Sequence, residues 1–194
     1  MRVCVHDQID FFILSYSMQS QSYNEHCVVT ALADMRTNLA DARAQEDGCR
    51  TLQNLAAHND ANRALISTAG GIEAVVASML AHADNAAVQE QGCNALRSLS
   101  ALEANRALIA SAGGIEAVVA GMRAHAANAA VQEDGCAIML NMSLTEAHRT
   151  RIVSAGGIEA VQAAMRAHPT VANITDYGKR AVYAYASPAG TVLS

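Results

Sequence analysis

The run Gly-Gly-Ile-Glu-Ala-Val occurs three times in this chain, and its starts at Gly70, Gly113 and Gly156 are each 43 residues apart. Self-similarity at a fixed period indicates a repeat array, in which each unit buries its apolar face against its neighbours. Periods of about 40–47 residues are typical of solenoids whose units contain two or three helices. The repeats therefore predict an all-α solenoid, with about four units in this chain.

The composition supports helices throughout. The chain has two prolines and no tryptophan, and its aromatic content is 4%. Alanine, leucine, methionine, glutamate and glutamine recur, and these residues lose little side-chain freedom in a helix. We expect essentially no β-sheet and a core built from alanine and aliphatic side chains of medium size.

Charge and cysteine content limit the class of partner and the cellular location. The formal charge is −5, and the 13 lysines and arginines are scattered rather than clustered, so we expect no nucleic-acid partner. Three of the five cysteines, Cys49, Cys93 and Cys136, recur at one helical position, which favours buried free thiols over a disulfide framework. The apolar run Phe11 to Leu14 is too short for a signal peptide or a membrane span. We expect a cytoplasmic location, with a nuclear one left open, and no membrane insertion.

Each unit is predicted to contain three helices. A short first helix, such as 105–112, ends at the Gly-Gly pair, because glycine readily adopts the left-handed conformation found at helix ends. A second helix then presents one apolar stripe, formed by Ile72, Val75, Val76, Met79 and Leu80. A longer third helix, such as Ala86 to Ser100, follows a plausible N-cap residue, which is Asp41, Asn85 or Asn128 in successive units.

Other residues also recur once per unit. A glycine interrupts each third helix despite a cost of about 1 kcal/mol relative to alanine, so we expect a neighbouring helix to approach it closely; these are Gly48, Gly92, Gly135 and Gly178. A histidine ends each second helix, where it suits the helix dipole better than it suits a metal site; these are His82, His125 and His168.

The pattern extends beyond the three most similar copies. Second and third helices are also predicted at 28–35, 42–56 and 174–185. The repeat domain is therefore placed at residues 27–187, followed by a tail at 188–194 that is expected to fray. Residues 1–26 contain no recognisable copy, and a cap, a disordered lead and a wrongly chosen start codon all remain open for them.

The order of motifs resembles the armadillo repeat. The resemblance is carried by Asn62-Arg63, Ile66, Ala69-Gly70-Gly71-Ile72 and the run Ala44 to Leu55. Arrays of the importin-α, β-catenin and vacuolar protein 8 types are similar. The resemblance implies a right-handed superhelix whose third helices line a concave groove, which in importin-α and β-catenin relatives holds extended peptides. Those relatives use a tryptophan ladder and an asparagine ladder. Here the tryptophan positions hold Arg50, Asn94, Ala137 and Arg180, and the asparagine positions hold Asn54, Ser98, Asn141 and Ala184.

The resemblance predicts a non-catalytic scaffold that binds a protein or an extended peptide. We expect no cofactor or metal, and the oligomeric state is left open, with a monomer favoured. Asn54 and Asn141 are expected to hold the ligand's backbone. The remaining predicted groove residues are Ser98, Arg50, Asn94, Glu46, Asp47, Gln91, Asp134 and Arg180. For the acidic residues, a groove lining and a solvated face both remain open. The alternative function is a fragment or regulatory array of a larger enzyme, such as a ubiquitin ligase or a kinase, whose catalytic domain lies outside this chain.

Overall fold

The computed structural model describes the backbone of residues 5–186 and the side chains of residues 21–186. Over this range the chain is all helical and contains no strand. The helices are α1 (Val5–Thr37), α2 (Ala42–Ala56), α3 (Asp60–Thr68), α4 (Gly71–Ala81), α5 (Ala86–Ser100), α6 (Glu103–Ser111), α7 (Gly114–Ala124), α8 (Ala129–Met142), α9 (Glu146–Ala155), α10 (Gly157–Ala167) and α11 (Ala172–Ala186).

The helices repeat in the predicted order of first, second and third. The three complete units are α3–α4–α5, α6–α7–α8 and α9–α10–α11, while α1 and α2 form the unit before them. Consecutive third helices pack side by side, α2 on α5, α5 on α8 and α8 on α11. This arrangement is a helical solenoid, as the repeats predicted.

The Gly-Gly junctions and the N-caps are where the sequence predicted them. Gly70, Gly113 and Gly156 have φ angles of +80°, +82° and +75°, a conformation that favours glycine. The helices on either side of the first two junctions meet at 71° and 75°. The Oδ1 atom of Asn85 accepts the backbone N–H groups of Ala87 and Val88 at 3.0 and 3.1 Å, which begins α5 at the predicted residue.

The first unit differs because its first and second helices are not separated. His26 and Cys27 stand where the next unit has Gly70 and Gly71, and α1 continues through them without a break. The proposed boundary at residue 26 therefore falls inside a continuous helix, and the division into 1–26 and 27–187 stays a prediction. The proposed tail at 188–194 lies outside the described residues.

The predicted apolar stripe of the second helix is correct for all but one member. Ile72, Val75, Val76 and Met79 are buried in the core, but Leu80 is 63% exposed, so its assignment to the buried stripe was wrong. Its position lies at the edge of the stripe, where the first and third units have arginines. Arg36 there donates to the backbone oxygen of Ala69 at 2.8 Å, across the boundary to the next unit.

The recurrent glycines are sites of close helix approach, as predicted. A Cβ atom added at Gly92 would lie 2.6 Å from Cγ of Met79, a residue of the second helix in the same unit. The other third-helix glycines meet an equivalent methionine. The methionine side chain occupies the space that any larger residue on the third helix would require.

A buried glutamine near the start of each of the first three third helices was not predicted. The Nε2 atom of Gln89 donates to the backbone oxygens of Met79 and His82 at 2.7 and 3.1 Å, and so satisfies the last carbonyls of α4. Gln45 and Gln132 make equivalent bonds. These bonds fix the end of each second helix against the third helix that follows.

The recurrent histidines link neighbouring units. Nε2 of His82 lies 2.7 Å from the backbone oxygen of Leu39, and the corresponding distances are 2.7 Å for His125 to Ala83 and 2.8 Å for His168 to Ala126. Since a carbonyl oxygen only accepts, Nε2 carries the proton and donates. The histidines are therefore half-buried links between units, which adds a role to the dipole-compatible position predicted for them.

A test of the glycine contact is the substitution Gly92→Leu. We expect it to lower the free energy of unfolding by about 1–3 kcal/mol, because a side chain forced against Met79 overpacks the interface. Gly92→Ala should be milder, since the better helix propensity of alanine, about 1 kcal/mol, offsets part of the crowding. Chemical denaturation followed by circular dichroism measures both. Gln91→Leu on the same helix is the control, and equal stability of Gly92→Leu and the parent would contradict the close approach.

A second test concerns the three recurrent cysteines, which are buried as predicted. Burial raises the pKa of Cys49 and Cys136 to about 12 and also raises the pKa of Cys93, so little thiolate forms in the folded chain. We expect alkylation of the native chain near pH 8 to be limited by unfolding at these positions, while half-buried Cys27 reacts sooner. Peptide mass spectrometry, with denatured chain as the control, measures this. Fast modification of all three would contradict burial.

Candidate functional site

One face of the four third helices is continuous and polar, and we call it the groove face. On α5 it contains Glu90, Gln91, Asn94, Arg97 and Ser98, whose spacing places them on one side of a helix. The same positions on α2, α8 and α11 complete the face. All ten predicted groove residues lie at these positions, because the repeat alignment selected this side of each helix.

The groove face contains a depression of about 370 Å³ between α5, α8 and the start of α3. It brings together three predicted residues, Asn94, Ser98 and Asn141, on two successive third helices. The remaining seven predicted residues lie outside it. The lining residues not predicted are Gln53, Ala57, His58, Arg63, Arg97, Ala101, Ala137, Leu140 and Tyr177.

Arg97 connects three third helices across this depression. Its Nη1 atom lies 2.7 Å from Oδ1 of Asp134 and 3.5 Å from Oε1 of Glu133, both on α8. Its Nη2 atom lies 3.3 Å from the Tyr177 hydroxyl on α11, and its guanidinium stands 5.4 Å from the centre of that ring. Arg97 is therefore a polar link between units as well as a wall of the depression.

Asp134 depends on this arginine. It is a buried acidic residue, and burial raises the pKa of its carboxyl group, while the hydrogen bond and the positive charge of Arg97 oppose that rise. Its carboxylate is thus occupied inside the protein. A ligand that bound Asp134 would have to displace Arg97 first.

Most of the other predicted charged residues are also paired. Arg50 forms ion pairs with Glu46 and with Asp47, the latter at 2.8 Å, all on α2. Arg180 lies 3.3 Å from Asp176. These pairs are exposed, and the partners in each lie one turn apart on the same helix. Each pair therefore contributes little to stability and opens readily.

The asparagines differ in what they leave free. Nδ2 of Asn141 donates to the Ser100 hydroxyl of the preceding unit at 2.9 Å, so its amide oxygen remains for other partners. The side chain of Asn54 is exposed and makes no hydrogen bond within the described part of the chain. The half-buried side chain of Asn94 makes none there either. Asn94 and Asn141 therefore offer amide groups to the depression, and Asn54 offers its own one unit away.

A one-residue insertion shapes the edge of the depression. The turn between α2 and α3 is one residue longer than that between α5 and α6, and it contains His58, with a φ of +56°. After the shorter turn, Nε of Arg106 donates to the Ser100 backbone oxygen at 3.0 Å. After the longer turn, Nε of the equivalent Arg63 is buried without a hydrogen-bond partner. The insertion frees Arg63 from helix capping and places it on the wall.

Sequence reasoning missed Arg97, Tyr177 and His58 for different reasons. Arg97 and Tyr177 have no counterpart at their positions in the other units, where Gln53 and Leu140 replace the arginine. A comparison based on recurrence does not select residues that occur once. The insertion was visible in the sequence, and its location beside the groove face was a signal that could have indicated His58.

The fold and the groove face together define a class of protein, the helical-repeat solenoid with a polar ligand-sized surface. A family model described as armadillo-like matches residues 27–155, which is well over half of the chain. The chain belongs to the armadillo-like family. This family is typically non-catalytic and generally provides scaffolds for protein interaction.

One solved structure supports the fold. The crystal structure of an engineered protein from the Northeast Structural Genomics Consortium has a TM-score of 0.69 and 22% identity, covering 81% of this chain and 62% of that one. This chain thus spans less than two thirds of that protein's length. A second engineered protein from the consortium has a TM-score of 0.49 and 17% identity, covering 89% of this chain and 94% of that one. No curated protein matches the sequence.

Among the described residues, no single helix is both long enough and apolar enough to cross a membrane. Two bent pairs, α3 with α4 and α6 with α7, meet the length and composition criteria only when each pair is taken together.

The role of Arg97 can be tested by a double-mutant cycle with Asp134. We expect Arg97→Ala to be destabilising, because it leaves the Asp134 carboxylate buried without its partner. The loss should be smaller in an Asp134→Asn background, with a coupling of about 0.5–3 kcal/mol. Denaturant unfolding measures the stability of the parent, of each single variant and of the double variant. Arg50→Ala is the control, and its exposed pairs should be worth less than about 1 kcal/mol. Equal losses in both backgrounds would show that the pair contributes nothing.

Proposed function

We propose that this chain is a non-catalytic scaffold that binds an extended peptide segment along the groove face. The observation that carries the proposal is the depression in which Asn94, Ser98 and Asn141 lie together on successive third helices. Amide groups offer both a donor and an acceptor, so they suit the backbone of a peptide whose own hydrogen bonds are not satisfied internally.

The spacing of the helices suits an extended ligand. Packed helix axes lie about 8–10 Å apart, and an extended chain advances about 3.3 Å per residue. A peptide that crosses the third helices would therefore present every third residue to an equivalent position on the next helix. Each unit would then contribute one set of contacts, and affinity would grow with the number of units occupied.

The chemistry of the face limits the strength of binding. The depression contains no tryptophan and only one aromatic ring, that of Tyr177, so pockets for large apolar anchors are lacking among its lining residues. Hydrogen bonds contribute about 0.5–1.5 kcal/mol each after exchange with water. Binding should therefore be weak per unit and spread over several contacts, with Asn54 extending the surface to the first unit.

The proposal can be tested with peptides selected from a random display library on the immobilised chain. For a selected peptide, Asn94→Ala combined with Asn141→Ala should weaken binding by about tenfold or more, the effect of losing one or two hydrogen bonds. Asn54→Ala measures whether the peptide reaches the first unit. Titration calorimetry gives the affinities, and thermal melting shows whether the Asn141 to Ser100 bond matters for stability.

Glu73→Ala is the matched control, because Glu73 is exposed on a second helix away from the groove face. It should leave the affinity unchanged. If the double asparagine variant binds like the parent while Glu73→Ala or Arg123→Ala abolishes binding, the groove face is not the functional surface and the second helices are.

A further inference from the structure

The contacts between successive units define what each end of the array would accept. Between units, the Ser78 hydroxyl of the next second helix donates to Gln45, one turn before Cys49 on α2, and Cys49 itself lies beside Ser78. Asp134 of the next third helix pairs with Arg97 at 2.7 Å, one turn after Cys93 on α5, and its carboxylate is near enough to raise the pKa of Cys93. The cysteine position of one unit therefore faces two positions of the following unit. One is the Ser78 position and the other is the Asp134 position.

The last unit has a lysine at the cysteine position. Lys179 follows Cys136 by 43 residues, as Cys136 follows Cys93, and its side chain is exposed. It forms no ion pair with any residue in the described range. Gln162 is likewise exposed where Val76 and Val119 are buried. The face that α10 and α11 present at this end of the array, here called the C-terminal end face, is therefore polar with a free positive charge.

The first unit has aspartates at both positions that would face that lysine. Asp34 stands at the Ser78 position and Asp47 at the Asp134 position. With His26, Cys27, Thr30, Ala31, Gly48 and Thr51 they line a groove of about 410 Å³ between α1 and α2. At the equivalent positions of the second unit Val75 and Ala95 are fully buried, whereas Ala31 and Thr51 are only half-buried. We call this open surface the N-terminal end face.

We propose that the C-terminal end face of one copy docks on the N-terminal end face of a second copy, so that the chain associates head to tail. In the register of the internal interfaces, Lys179 of one copy lies against Asp34 and Asp47 of the next. Neither aspartate is committed to a buried partner. Among the described residues the Asp34 carboxylate accepts only the Asn38 amide, at 2.7 Å, and Asp47 shares Arg50 with Glu46.

A second pair of opposite charges falls in the same register. Arg36 and Arg123 donate to backbone oxygens at the next junction, and Arg166 stands at their position in the last unit. The positions it would reach in a second copy are those of Glu25 and His26, the equivalents of the two acceptors, and both are exposed. One pair opposes the contact, since Asp41 would meet Asp176, although Arg180 already lies 3.3 Å from Asp176. The net match favours association that is weak and sensitive to salt.

The contact joins two different surfaces, so each pair keeps one unoccupied end face of each kind and can add further copies. We expect sedimentation velocity of the reduced chain at low ionic strength to show a weight-average coefficient that rises with concentration up to about 1 mM. The rise should disappear near 1 M salt, where screening acts over about 3 Å. A coefficient that stays at the monomer value at every concentration would overturn the proposal.

Charge reversal separates this contact from other modes of association. Lys179→Glu should weaken association at least tenfold, and so should Asp34→Lys combined with Asp47→Lys. An equimolar mixture of the two variants should associate again, because each keeps the end face that the other has lost. Glu73→Lys is the control for a charge reversal elsewhere, since exposed Glu73 lies on α4 within the array and on neither end face, and it should have little effect. Variants that remain monomeric when mixed, or association abolished by Glu73→Lys and not by Lys179→Glu, would contradict the proposal.

Discussion

The contact on which the array depends is that between a methionine of each second helix and a glycine of the following third helix. Met79 and Gly92 show the reason, because no Cβ atom fits at Gly92 while the methionine lies where it does. The close approach brings the end of α4 within reach of Gln89, whose amide satisfies the carbonyl groups there. The packing of Met79 against Gly92 and the hydrogen bonds that Gln89 donates thus both depend on the distance between α4 and α5. Because that pair recurs in every unit, each unit presents nearly the same surfaces to its neighbours.

Local structure could be predicted from sequence where one residue type has one physical role. The glycine pairs and the asparagine caps determine their own backbone, so α5 begins and ends where expected. The resemblance to armadillo repeats indicated one side of each third helix as a ligand-binding groove, and that this side binds a ligand stays a prediction. Inter-unit bonds were not predicted, because the acceptor of His82 is the backbone of Leu39, and a backbone carbonyl has no sequence signature. Leu80 was misplaced because periodicity alone does not locate the edge of a buried stripe.

The candidate site was predictable as a surface but not as a network of paired groups. Repeat alignment treats Asp134 and Asp47 as equivalent, yet one is buried beneath Arg97 and the other is exposed beside Arg50. The difference arises because α5 packs in front of Asp134 and its Arg97 reaches that carboxylate, whereas Asp47 lies on α2, the first third helix of the described range. Asp47 pairs only with Arg50 of its own helix among the described residues. A ligand on the groove face meets the amides directly but has to compete with protein partners for most of the charged groups.

The departures from the repeat are where the units become unequal, and this has a physical reason. An array of identical units would present the same groove at every position, and each end would expose a surface prone to self-association. The inserted His58 changes the turn before α3 and leaves Nε of Arg63 without a capping bond, which makes one part of the groove unlike the others. Lys179 places a positive charge where the other units have a buried cysteine, which would favour apolar packing against another unit. The aspartates of the first unit, Asp34 and Asp47, place negative charges at the other end. Exposed charges raise the cost of indiscriminate stacking, while opposite signs at the two ends leave one orientation less costly than the rest. The few positions at which the units differ therefore determine the specificity of such an array. The positions at which the units agree maintain its fold.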